Sequence, residues 1–107
     1  MTYTPDNWVI VKLTRPEGVV HKVLAGWSGG YLGGDTWRMN SGIVRTSQEG
    51  DYILFHGESG SVYKCHKDSQ RLSNATAGIY DTLVDQGKQK GVTVEMVDVG
   101  DDRWNLI

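Results

Sequence analysis

The sequence predicts an α+β protein, a curved antiparallel β-meander with one amphipathic helix before its last strand. Three observations predict this class. Runs of β-forming residues with a period of two occupy the first part of the chain. Three turn signatures with glycine in third place punctuate them: Pro16-Glu17-Gly18, Gln48-Glu49-Gly50 and Glu58-Ser59-Gly60. After Lys67 the apolar period changes to that of a helix, and a short β-forming run follows it.

Each turn reads as a three-residue hairpin loop, a type I turn closed by a glycine in the left-handed region. In the first hairpin this loop sets Val11 opposite Val23, Leu13 opposite His21 and Val9 opposite Ala25. Val9, Val11, Leu13, Val23 and Ala25 then share a core face, and Lys12 and Lys22 share the solvent face of a half-exposed sheet. In the third hairpin Ile53 falls opposite Cys65 and Phe55 opposite Tyr63, with His56, Lys64 and His66 on the reverse face. A two-residue loop would set Lys64 beside Ile53, so the patterning selects three. Between these hairpins, residues 37–46 read as one loosely alternating strand with a bulge or bend at Gly42.

From Asn74 to Lys90, Thr76, Ile79, Tyr80, Leu83, Val84 and Gly87 recur at helical spacing on one stripe, opposite Asp81, Asp85, Lys88 and Gln89. Ser73 or Asn74 is placed to cap its start, and Gly91 its end. Lys88 and Lys90 suit the negative end of the helix dipole. Residues 92–99 read as the last strand, and Trp104, Leu106 and Ile107 as an apolar tail that docks on the body. Strands this short and bent commonly curl into a small open barrel, so an SH3-like or Sm-like barrel is the first expectation. A flat sheet covered by the helix on one face is the second. Residues 1–107 form a single domain, with enough chain to fold without metal or disulfide.

Charge and cysteine content narrow the function. Eleven Lys and Arg against 13 Asp and Glu leave a net charge of −2, which disfavours a dedicated duplex-DNA binder. One cysteine, Cys65, permits no internal disulfide and fits a reducing, cytoplasmic compartment. The N-terminal residues lack the basic and apolar regions of a secretion signal. His21, His56 and His66 have no metal-ligand spacing, and the two on the third hairpin stand at opposite ends of it, so no metal or cofactor is expected. Gly57-Glu58-Ser59-Gly60-Ser61 lacks the spacing of a serine-nucleophile motif, and the glycine pairs lack the spacing of a phosphate loop. No catalytic residue stands out.

Residues 26–37 carry five glycines and three large aromatics, Trp27, Tyr31 and Trp37. Such a segment is either a strained connection packed by its own rings or a surface that grips a partner. With Arg38 it has the composition of an interface hot spot. The leading functional reading is a non-catalytic module that binds a host or viral protein, or itself, through Trp27, Tyr31, Trp37 and Arg38. The alternative is a single-stranded nucleic-acid binder stacking bases on the same rings and Trp8, with Arg38, Arg45, Lys12, Lys22 and Lys64 lining a groove. An enzyme comes third. Residues 22–32, 34–43 and 60–67 together resemble small uncharacterised proteins of marine tailed phages. That resemblance implies a viral origin, a host-cytoplasmic location and an accessory role, and assigns no activity to any residue.

Overall fold

The computed structural model describes residues 1–28 and 36–97. Eight strands and one helix follow in the order β1 (Thr2–Tyr3), β2 (Asn7–Arg15), β3 (Gly18–Trp27), β4 (Thr36–Met39), β5 (Ile43–Glu49), β6 (Tyr52–Gly57), β7 (Val62–His66), α1 (Asn74–Lys90) and β8 (Thr93–Val97). The α+β class and the helix before the last strand are as the sequence predicts. The expected curved meander is instead divided into two four-stranded sheets, β4-β3-β2-β8 and β1-β7-β6-β5, which are not closed into a barrel.

The division falls inside the segment read as one bent strand. Residues 36–39 pair with β3 and residues 43–49 with β6. Between them Asn40 imitates one more pair of the first sheet. Its N–H donates to the Val23 carbonyl (3.2 Å), and its side-chain Oδ1 accepts from the Val23 N–H (2.9 Å). Gly42 follows at φ 149°, and its carbonyl accepts from the Glu58 N–H (2.8 Å), which ties the new strand to the third hairpin. The bend at Gly42 is therefore a change of sheet.

The first hairpin also differs from expectation. Arg15 pairs with Gly18 around a two-residue loop, Pro16-Glu17, so Val11 lies opposite Lys22, Leu13 opposite Val20 and Val9 opposite Leu24. Every pairing is shifted by one residue from the expected register. Lys12 pairs with His21, so Lys12 and Lys22 lie on opposite faces of the sheet. The reason is that this sheet is covered on both sides. Val9, Val11 and Leu24 pack beneath α1 with Leu72, Ile79 and Tyr80. Trp8, Ile10, Val23 and Ala25 pack against Ile53, Phe55, Tyr63 and Cys65 of the second sheet. The molecule is thus helix on sheet on sheet, and β2 and β3 form its middle layer. The second turn likewise has two loop residues, Gly50-Asp51, between Glu49 and Tyr52.

The third hairpin matches its expected register. Ile53 pairs with Cys65 and Phe55 with Tyr63. Gly57 and Ser61 close the loop (2.8 Å), with Gly60 at φ 93°, where a side chain on its Cα would be strained. The helix also has its predicted ends. Ser73 and Thr76 form a reciprocal capping box, and Gly91 ends the helix at φ 74°. Gly87 lets the last turns approach β8, since a Cβ there would lie 3.0 Å from Val94 Cγ2 and 2.5 Å from the Val92 carbonyl oxygen just before the strand. Trp8 at the start of β2 bridges to Gln70, and the Arg71 N–H donates to the Trp8 carbonyl (2.9 Å). Residues 98–99 and the tail residues Trp104, Leu106 and Ile107 lie outside the described residues.

Candidate functional site

The strand pair β3–β4 distributes the aromatic-basic residues by simple alternation. Trp27 pairs with Thr36 and Ala25 with Arg38, so these four face the second sheet. Gly26 pairs with Trp37 and Leu24 with Met39, so these face the side of α1. Arg38 and Trp37 are therefore back to back on one strand. Tyr31 and the glycines at 29, 30, 33 and 34 lie outside the described residues.

On the inner face, four strands bring a small cluster together. Trp27 is half-buried, and its indole Nε1 donates to the Thr4 carbonyl (3.0 Å). Its ring meets Tyr3 edge-on at 6.3 Å, and Tyr3 lies 5.0 Å from Tyr63. The Arg38 guanidinium stacks over the Tyr3 ring, 4.6 Å from its centroid. Burial raises the Tyr63 hydroxyl pKa, and the adjacent Arg38 charge partly offsets the rise. The structure thus joins Trp27 and Arg38 and adds Tyr3 and Tyr63, which sequence reasoning did not assign to the site. Only the parallel pairing of β1 with β7, a contact across the whole first half of the chain, brings those two tyrosines together.

On the opposite face Trp37 stands 46% exposed, whereas Trp8 is 1% exposed. Its cross-strand neighbour is Gly26, which offers no side chain to cover the indole. A side chain at Gly26 is excluded from beneath, because a Cβ there would lie 2.5 Å from Asn7 Oδ1 and 3.1 Å from Thr76 Cγ2. The close approach of β2 and α1 thus requires Gly26, and Gly26 leaves Trp37 bare. β4 is the outer strand of its sheet, with β3 as its one partner among the described residues.

The outer face of the second sheet is the other polar surface. Arg45, which can only donate, bonds His56 Nδ1 (3.3 Å), and His56 Nε2 meets Ser47 Oγ (2.9 Å). The Ser-His contact has the spacing of a nucleophilic dyad but the wrong polarity. With Nδ1 accepting from Arg45, the proton sits on Nε2, which donates to Ser47 and cannot take the hydroxyl proton. Burial and then the Arg45 charge lower the His56 pKa, which disfavours the protonated ring. Beside this chain, Lys64 Nζ bonds Glu49 (3.0 Å) and lies 4.8 Å from the Tyr52 ring centroid. Lys67 pairs with Asp51 at 3.5 Å.

The expected basic groove is not assembled. Arg45 and Lys64 share the outer face, Lys22 faces the helix side, Lys12 the opposite side of that sheet, and Arg38 the far cluster. Cys65 is buried in the core, where desolvation pushes its thiol pKa up and holds it protonated. Among the described residues, no three His, Cys, Asp or Glu side chains converge on a metal position. A cleft of about 450 Å³ between β8 and residues 70–72 is lined by Val9, Gln70, Arg71, Leu72, Met96 and Val97, which include no general acid, base or nucleophile. Among the described residues, no helix is long and apolar enough to cross a membrane. Comparison of the chain with models of known families, with curated proteins and with solved structures finds no match.

Proposed function

We propose that this protein is a small non-catalytic binding module whose partner surface is the β4 edge, with Trp37 and Arg38 as its anchors. The partner is a protein: a host or viral protein, in keeping with the phage-like sequence, or a second copy of the chain. The observation that carries this reading is the exposure of Trp37 on an outer strand. Trp8 and Trp27 spend their indole N–H groups on carbonyls, Trp8 on His66 and Trp27 on Thr4. Trp37 has a half-exposed ring beside backbone groups that no described residue pairs, and exposed aromatic residues of this kind anchor protein interfaces. Nucleic-acid binding is the weaker reading, because a stacking groove needs rings and free cations along one path. Here the cations are dispersed, and Lys64 and Lys67 already face carboxylates. A buried, protonated Cys65 accords with work in the cytoplasm.

The test is Trp37→Ala. Loss of a half-exposed ring leaves no cavity, so the melting temperature should hold within a few degrees. Partner capture from cell extract, or self-association in sedimentation, should fall about tenfold or more, as for other aromatic anchors. A large drop in melting temperature would show that the ring is structural. Capture abolished by nuclease would transfer the function to nucleic acid.

A further inference from the structure

The chemistry of the edge specifies its occupant further, given the binding reading above. We infer that the partner lays an extended segment along β4, with an acidic residue across from Arg38 and an adjacent apolar residue across from Trp37.

The backbone supplies the first half of the argument. β4 has one ladder partner among the described residues, and none of them pairs with the N–H and C=O groups on its other side. An extended segment can satisfy them by joining the sheet. Once it does, the period of two dictates what its side chains meet. The residue opposite Arg38 points to the side of the second sheet, and the residue next to it points toward α1 and Trp37. One dipeptide therefore reads two unlike surfaces, and its two side chains must differ in chemistry.

Arg38 sets the charge of the first. It is exposed, yet it is not a free-swinging surface cation, because its guanidinium is stacked on Tyr3 at 4.6 Å. Tyr3 is in turn held between Trp27 and Tyr63. A guanidinium carries five N–H donors, more than its contacts with Tyr3 and Tyr63 can use. The Lys and Arg ion pairs among the described residues join Arg15 to Glu17, Lys64 to Glu49 and Lys67 to Asp51, and Arg38 belongs to none of them. One part of the guanidinium meets the Tyr63 hydroxyl, and the remaining donors of this pre-oriented group match a carboxylate. Trp37 sets the second chemistry. Its exposed ring beside the side-chain-free Gly26 is a flat apolar shelf, suited to an aliphatic or aromatic residue.

The probe is a fluorescein-labelled hexapeptide alternating glutamate and valine, followed by fluorescence anisotropy, with serine-valine and lysine-valine versions as controls. The glutamate peptide should bind at least about tenfold more tightly than the serine peptide, the size of effect a charge-assisted hydrogen bond supplies. The lysine peptide should bind least. Arg38→Gln should abolish the preference for glutamate over serine, so that the two peptides bind with equal affinity. Arg38→Lys should retain part of the preference, since the charge persists without the guanidinium donors. Thermal melts check that both variants fold. Trp37→Ala should weaken all three peptides alike. If Trp37→Ala weakens binding but glutamate and serine peptides bind equally well, the acidic specificity is wrong and the binding edge stands. If peptides bind with a glutamate preference that survives Arg38→Gln, the carboxylate is read elsewhere and the inference fails. If no peptide binds at millimolar concentration and Trp37→Ala leaves partner capture intact, the edge itself is not the binding surface and both fall.

Discussion

The hairpins β2–β3 and β6–β7 have similar turn sequences, yet only one follows the register those turns suggest. In β6–β7 the alternation of apolar and polar residues selects a single pairing, Ile53 with Cys65 and Phe55 with Tyr63. One face enters the core and the other carries Leu54, His56 and Lys64 at the surface, so a slip of one residue would bury Lys64. In β2–β3 that penalty is missing. Trp8, Val9, Ile10 and Val11 are successive and all buried, the even positions against the second sheet and the odd ones beneath α1. A strand that is apolar on both sides pays no hydrophobic penalty for exchanging its faces. Its register is then decided by the loop and by the fit of whole layers.

The sharpest way to break this comparison is to make single faces polar. Ile10→Asn and Val11→Asn should both destabilise the fold by about 3–5 kcal/mol, through lost packing and a buried unpaired amide. Phe55→Asn should do the same. Leu54→Asn, on the outer face of the second sheet, should cost under about 1 kcal/mol, as surface substitutions do. Denaturant titration measures all four. A tolerated Val11→Asn would mean that α1 does not seal the odd face.

A finer test concerns the helix as the cover of that face. Gly87→Ala would drive a methyl against the Val92 carbonyl and Val94, and α1 would have to lift from β8. The expected loss is about 1–3 kcal/mol, the usual cost of overpacking. Gly78 in the same helix has open space where a Cβ would go. Gly78→Ala should therefore stabilise by about 0.5–1 kcal/mol, by removing backbone freedom from the unfolded chain. Equal effects at the two glycines would contradict the close contact at Gly87.

The smallest expected effect is on pH dependence. His21, in β2–β3, has its pKa lowered by burial and then by Lys12. His56, on the second sheet, is lowered by burial and then by Arg45. Each binds a proton more readily in the unfolded chain than in the folded one. Their contribution to stability is complete above the unfolded value of about 6.5 and is lost as the pH falls through the folded pKa. Melting temperature should fall modestly on acidification from about pH 7.5 to 5.5. His21→Asn and His56→Asn should each flatten part of that slope, and their ratio apportions it between the two regions. A slope unchanged in both variants would place the effect on other groups.

The division between sequence and tertiary structure follows the range of the interactions. The helix from Asn74 to Lys90, a cap at Ser73 or Asn74, the Gly91 stop and the loop at Gly60 were legible in the sequence, and the structure chooses Ser73 as the cap. Each is specified within a few residues, by period, by a local hydrogen bond or by a backbone angle. So was the core position of Cys65, since its strand has one wet face. The candidate site was legible as composition but not as geometry. Trp27, Trp37 and Arg38 were in view, yet their separation onto two faces and the union of Arg38 with Tyr3 and Tyr63 were not. Those features depend on where residues 36–49 change sheets, on the parallel docking of β1 against β7, and on which layers cover β2 and β3. Such choices compare the burial of whole layers made from distant segments. Alternation within one strand, or the residues of one turn, cannot decide them.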